Sequence, residues 1–202
     1  MRNDVYAHAP RLPESEAIDP RSLLRVGEGP IDLEIGPGRG WFLVERAEAL
    51  PERGIIGLEV RRKWATIVDE RLRKRGYGER ARCFAEDARS ALPRLRSSSI
   101  ALAFVHFPDP WWKKRHAKRL VVTDALVAEL ARVIAPGGEL FIQTDVEHRA
   151  DAYEATVARA PAFVPWETRA RVGDHPYVAR SPRERRAIAD GLPVQRLRYR
   201  RL

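Results

Sequence analysis

A single cysteine, Cys83, leaves no possibility of a disulfide within the chain, and the five histidines are scattered with no cysteine pair beside them. Zinc-ligand spacing is therefore absent, and no metal is expected. No apolar run approaches the roughly 20 residues that a membrane-spanning helix needs, and mean hydropathy is −0.43, so a membrane protein is not expected either. The stretch Met1–Pro20 has neither the apolar core of a secretory signal nor the character of a transit peptide. Together with the lone cysteine it points to the cytoplasm. Internal repeats and low-complexity tracts are missing, which excludes solenoids and arrays.

What is there begins with 202 residues, 44% of them hydrophobic, enough for one full-sized core and short for two. The net charge of +9 is unevenly placed: residues 1–60 are net acidic, whereas 61–110 and 111–202 are net basic. A basic cluster beside a pocket reads as a footprint for a polyanion, nucleic acid first.

Apolar runs bounded by Gly, Pro or Asp recur at Ile31–Ile35, Gly54–Val60, Ala81–Ala85, Ile100–Phe107 and Glu139–Gln143, as buried parallel strands do. Between them, Trp64, Ile67, Val68 and Leu72 share one helical face. So do Val122, Leu126, Leu130, Val133 and Ile134, with Thr123 or Asp124 near the start. Strand and helix alternate, which predicts an α/β fold with a single doubly wound, mostly parallel sheet and a ligand at the carboxyl ends of its central strands. Residues 1–29, polar and Pro-rich, are expected to form a loose arm, and 30–202 the domain. The piece Val194–Tyr199 is a candidate final strand.

Ile31 to Gly40 reads as a strand, a glycine turn at Gly36 and Gly38, and a helix start. Glycines let the backbone approach a ligand closely, and the helix N-terminus presents free N–H groups. The dinucleotide fingerprint wants a small residue where Trp41 stands, and a P-loop wants Gly-Lys-Ser/Thr, so both phosphate-binding readings lose ground. Glu59 and Asp87 follow the next two strands and are expected at the same sheet edge. A carboxylate after the second strand suits a ribose diol, and Asp87 suits an adenine amino group. Glu34, inside the end of the first strand, is unwelcome in a core unless it meets a cation or backbone donors. An adenosine-bearing cation without phosphates, S-adenosylmethionine, fits these acids better than an anionic dinucleotide.

The most specific stretch runs Val105-His106-Phe107-Pro108-Asp109-Pro110-Trp111-Trp112-Lys113-Lys114-Arg115-His116-Ala117-Lys118-Arg119. Prolines on both sides of Asp109 remove backbone donors and stiffen the turn that carries it. Two tryptophans followed by five Lys/Arg combine base-stacking surface with phosphate-seeking charge.

This segment resembles the hallmark of bacterial tRNA (guanine-N7-)-methyltransferases, a Phe-Pro-Asp-Pro-Trp run followed by basic residues. The likeness extends to Leu33-Glu34-Ile35-Gly36, Gly57-Leu58-Glu59-Val60, Asp87-Ala88, Gln143-Thr144-Asp145 and Ser181-Pro182-Arg183-Glu184. It implies the class I S-adenosylmethionine-dependent, Rossmann-like fold and methylation of a guanine N7 in the tRNA variable loop. By position it implies a cofactor site of Glu34, Gly36, Gly38, Glu59, Asp87 and Asp109. Substrate contacts would fall on Lys113, Asp145, Ser181 and Glu184, with Lys114, Arg115, His116, Lys118 and Arg119 on the RNA. The family usually has Pro at the position of Trp112 and Thr at that of Ser181.

Guanine N7 carries a lone pair and no proton, so methyl transfer to it needs alignment and electrostatics rather than a base. Asp109 is the catalytic candidate, as a carboxylate facing the purine charge as it develops. Two other readings remain open: an exocyclic-amine methyltransferase, since Asp109-Pro110-Trp111 loosely matches an Asp-Pro-Pro-aromatic turn, and a non-catalytic RNA-binding protein on a methyltransferase fold. The partner expected is tRNA, and the chain is expected to be a monomer or homodimer.

Overall fold

The computed structural model describes residues 5–108 and 120–202. Among these residues seven strands form one sheet: β1 (Ile31–Ile35), β2 (Gly54–Leu58), β3 (Ala81–Phe84), β4 (Ile100–His106), β5 (Ile134–Thr144), β6 (Phe163–Pro165) and β7 (Gln195–Arg201). Their spatial order is β3-β2-β1-β4-β5-β7-β6. β1 to β5 pair in parallel and β7 runs antiparallel to both β5 and β6. The expected doubly wound sheet is therefore present. The order reverses between β1 and β4, so the crevice for a ligand lies at the carboxyl ends of those two strands.

The helices follow the alternation: α1 (Trp41–Ala49), α2 (Arg62–Lys74), the short α3 (Ala88–Ala91), α4 (Asp124–Val133), α5 (Glu147–Ala158) and α6 (Pro182–Ala189). Thr123 caps α4 by accepting from the Leu126 N–H at 3.2 Å. The face expected on α2 is turned slightly: Val68 and Leu72 are buried, Trp64 and Ile67 only half so. Cys83 packs with Val68 and Leu72 in the layer beneath α1 and α2. Burial, with Glu59 and Asp69 nearby, holds its thiol well above the usual range, so it behaves as a small core hydrophobe.

Three expectations are corrected. β5 begins at Ile134, directly where α4 stops, and not at Glu139, because Pro136-Gly137-Gly138 forms a bulge rather than a turn. Gly137 has φ +79°, and a Cβ on Gly138 would stand 2.7 Å from the Ala101 carbonyl oxygen. The short strand β6 was not expected. The 1–29 stretch is not loose where it is described. Leu12, Ile18 and Leu24 belong to the main core, and Ile18 bridges to Leu95.

β1 alternates in period two. Ile31, Leu33 and Ile35 join the core layer that contains α4 and α5, while Asp32 and Glu34 point to the opposite face. Asp32 is wholly buried and accepts from Arg46 Nε of α1 at 2.6 Å and Arg53 Nε at 2.8 Å. Arg46 is itself 3% exposed and lies 4.7 Å from the Phe104 ring. Replacing the acid strands a buried guanidinium, which costs about 3–5 kcal/mol. Asp32→Ala should lower the free energy of unfolding by that amount in denaturant titration. A loss below about 1 kcal/mol would show that Arg46 is compensated elsewhere.

Candidate active site

A cavity of about 590 Å³ opens at the switch point. Its wall is built from the end of β1 (Glu34), the glycine turn (Gly36, Pro37, Arg39 and Gly40), the start of α1 (Trp41, Phe42) and the end of β4 (His106). Segments after β4, after β5 (Asp145) and around Ser181 to Arg183 complete it. Gly36 and Gly38 both have positive φ, and a Cβ built on either meets nothing within 4 Å, so the space in front of the turn is open. Gly40 differs. Its φ is +69° and a Cβ would stand 2.4 Å from Val68 Cγ1, so the turn is pressed against α2.

Glu34 is 3% exposed. Its Oε1 lies 2.8 Å from His106 Nδ1, and its Oε2 has no hydrogen-bond partner among the described residues. Sequence reasoning missed His106, although a lone polar residue in the apolar run ahead of Phe107-Pro108 was the available signal. Glu59 sits just beyond β2 and does not line the cavity. Its Oε2 accepts from the Gly38 N–H at 2.9 Å and its Oε1 from the Arg61 N–H at 3.0 Å, so it ties the glycine turn to β2. Asp87 also lies outside the cavity wall, as the cap of α3. Arg89 donates to it from both backbone and side chain, and that hydrogen bonding holds the carboxyl below its ordinary range.

Asp145 and Ser181 do line the cavity. Asp145 is ion-paired with Arg183, and Ser181 Oγ caps α6 by accepting from the Glu184 N–H at 3.1 Å. Glu184 is a correction: it is completely buried and turned away from the cavity. Its Oε1 accepts from Arg196 Nε at 2.9 Å and Nη2 at 2.7 Å, and its Oε2 faces His175 Nε2 at 3.3 Å. Glu184 thus anchors α6 to β7, because Arg196 supplies the cationic partner that burial demands. Asp109, Lys113, Lys114, Arg115, His116, Lys118 and Arg119 lie outside the described residues. The cavity wall includes Phe107 and Pro108, the residues that precede Asp109 in the chain. Its rim is aromatic and basic: Trp41 is 38% exposed with Arg71 at 4.3 Å from its ring.

The family described as "Putative methyltransferase" matches residues 28–197. The tRNA (guanine-N(7)-)-methyltransferase of Anaeromyxobacter dehalogenans is 42% identical over 181 residues, covering 86% of this chain and 88% of the relative. The chain belongs to the tRNA (guanine-N7-)-methyltransferase family. The family's enzyme from Myxococcus xanthus is 36% identical over 84% of this chain and 82% of its own length. Among solved structures, the aminoglycoside resistance methyltransferase NpmB1 superposes with a TM-score of 0.56 at 18% identity, over 91% of this chain and 90% of that one. That likeness concerns the fold, which is the class I, Rossmann-like methyltransferase architecture expected for the family.

The Glu184 anchor makes stability depend on pH. Burial pushes His175 down to about 4 from its ordinary 6.5, against the opposing pull of Glu184. As pH falls through 6.5 the unfolded chain takes up this proton while the folded one does not, so stability is lost between about 6.5 and 4 and levels below. Denaturant titrations across that window should show a decline of up to about 3 kcal/mol from this group. His175→Gln should flatten that part of the profile. Parallel profiles for the two proteins would place the dependence elsewhere.

Proposed function

We propose that this chain transfers a methyl group from S-adenosylmethionine to N7 of a guanine in tRNA. The observation that carries the reading is likeness over most of both chains to enzymes named for that activity, joined to a cavity at the switch point of the matching fold. S-adenosylmethionine, when bound, supplies an electrophilic methyl on a sulfonium. Two features fit such a group: Glu34 Oε2, on the cavity wall, is a buried carboxylate oxygen without a partner among the described residues, and the backbone of the glycine turn at Gly36 and Gly38 borders open space.

Glu34 would hold the cationic amino-acid end, and the Gly36–Gly38 backbone would take the close approach. Glu59 already fixes the turn, and its Oε2, which accepts only from the Gly38 N–H, keeps acceptor capacity for a ribose hydroxyl, while Arg61 would have to release Oε1 for the second. Asp87 would serve the adenine end once Arg89 shares its oxygens. On the substrate side, Asp145 would accept from the N–H groups of guanine's Watson–Crick edge, after Arg183 gives way to the base or swings to a phosphate. Ser181 offers a hydroxyl beside it, and Lys113 would neutralise a phosphate or cover the guanine carbonyl oxygen. The run Lys114, Arg115, His116, Lys118 and Arg119 would follow the RNA backbone, joined at the rim by Arg71 and Arg75. Both lie over Trp41, and neither has a carboxylate partner among the described residues. Burial and Arg75 together hold Arg71 below the usual arginine range.

No general base is required, so these residues align the reactants and answer charge. Asp109 follows the cavity wall directly in sequence and is assigned the developing purine cation. Residues 30–202 form the catalytic domain, with the N-terminal segment docked on it. Among the described residues no helix is long and apolar enough to cross a membrane.

Mapping the methylated atom on bulk tRNA tests the activity: N7 of guanine supports it, an exocyclic amine or no methylation overturns it. Asp109→Asn should still bind cofactor and tRNA, while single-turnover transfer at saturation falls by about 10²-fold or more. A near-wild-type rate would remove Asp109 from the mechanism and move attention to Asp145.

A further inference from the structure

Two carboxylates stand on the same face of β1, and the structure treats them differently. Asp32 takes two arginines. Glu34, two residues on and 3% exposed, has no arginine or lysine partner among the described residues and is paired with His106 alone. A buried carboxylate without a cation is costly, and an unpaired buried oxygen adds the full cost of its lost hydration. Among the described residues Glu34 Oε2 is such an oxygen, and the residue lines the cavity. The missing partner is therefore a cationic donor that arrives through the cavity.

His106 decides which oxygen that donor meets. A carboxylate only accepts, so the 2.8 Å contact between His106 Nδ1 and Glu34 Oε1 requires the proton on Nδ1. The imidazole has little freedom to turn away. It packs edge-on to Phe42 at 4.3 Å, stacks on Phe104 at 5.3 Å and meets the edge of Phe141 at 6.1 Å. β1 and β4 are hydrogen-bonded neighbours whose register pairs Ile35 with Val105, so His106 stands one step beyond the paired ends. Oε1 already accepts from His106, the carboxylate plane is fixed, and Oε2 is left with both of its acceptor sites open.

We propose that His106 is a positioning residue for cofactor binding: it clamps Glu34 so that Oε2 receives the α-ammonium of the cofactor's amino-acid tail. The proposal rests on the S-adenosylmethionine reading above and adds a residue to it. It also separates two parts of the ligand, since only the tail carries the ammonium.

The test is calorimetric titration of the full chain with S-adenosylhomocysteine and with 5′-methylthioadenosine, which keeps the adenosine and sulfur but lacks the amino acid. His106→Phe preserves the ring packing and removes the donor. It should weaken S-adenosylhomocysteine about tenfold, as expected for one hydrogen bond to a charged group, while 5′-methylthioadenosine changes less than about twofold. His106→Asn, whose amide N–H stands close to the place of Nδ1–H, should recover most of the loss. Thermal melts check that the variants are folded; should the Phe variant fail there, His106→Leu, which is apolar and has no donor, replaces it. Unchanged affinity for S-adenosylhomocysteine in the folded variant, equal loss of both ligands, or an Asn variant no better than Phe overturns the proposal. Wild-type protein that binds neither ligand overturns the cofactor reading itself, and the role of His106 falls with it.

Discussion

The buried carboxylates of β1 are the constraint on which the rest of the structure depends. A strand at the centre of a parallel sheet is covered on both faces, so an acid placed there must find a cation or strong donors inside the molecule. Asp32 finds Arg46 of α1 and Arg53 of the following turn, and that demand fixes where α1 lies against the sheet. Glu34 finds a histidine from the adjacent strand and keeps one oxygen for the cavity. One face of a five-residue strand thus carries a permanent ion pair and an open one. The permanent pair secures the wall against which the open one faces its ligand.

The same logic organises the C-terminal part of the chain, where arginines work inside the protein as well as on its surface. Arg196 of β7 reaches Glu184 of α6, and Arg198 of β7 reaches Glu139 of β5 at 2.8 Å, with Tyr177 donating to the same carboxylate at 2.8 Å. Arg185 of α6 meets Glu45 of α1 and holds that carboxyl below its ordinary range. These links position Ser181 and Arg183 on the cavity wall. A high arginine content here is therefore partly architectural, and only the remainder is available to a polyanion.

The parallel strands, the glycine turn and the edge at which the site lies were legible because each has a local cause: continuous apolar runs, glycines at positive φ, and alternation with helical spacing. What was not legible depends on partners distant in sequence. Nothing local distinguishes a Pro-Gly-Gly turn from the bulge that lets β5 start at Ile134, since the bulge exists only against β4. Ser181-Pro182-Arg183-Glu184 reads as a substrate motif, yet Glu184 is claimed by Arg196, twelve residues on. Glu59 and Asp87 were placed at the right edge, but their present partners, the Gly38 N–H and Arg89, are visible only in three dimensions. The polar N-terminal stretch looked loose because its few apolar residues, Leu12, Ile18 and Leu24, are widely spaced; each nevertheless reaches the core.

The sheet order also bears on how the chain is made. β7 lies between β5 and β6 in space but follows both in sequence. β6 pairs with no strand other than β7 among the described residues, and the outer side of β5 is likewise claimed by β7 alone. A nascent chain that has emerged only as far as α6 therefore carries Leu140, Phe141 and Ile142 on an unpaired strand edge, the kind of surface that invites pairing with another chain. Between synthesis of β5 and arrival of β7 that edge stays open, and only the last strand of the chain closes it.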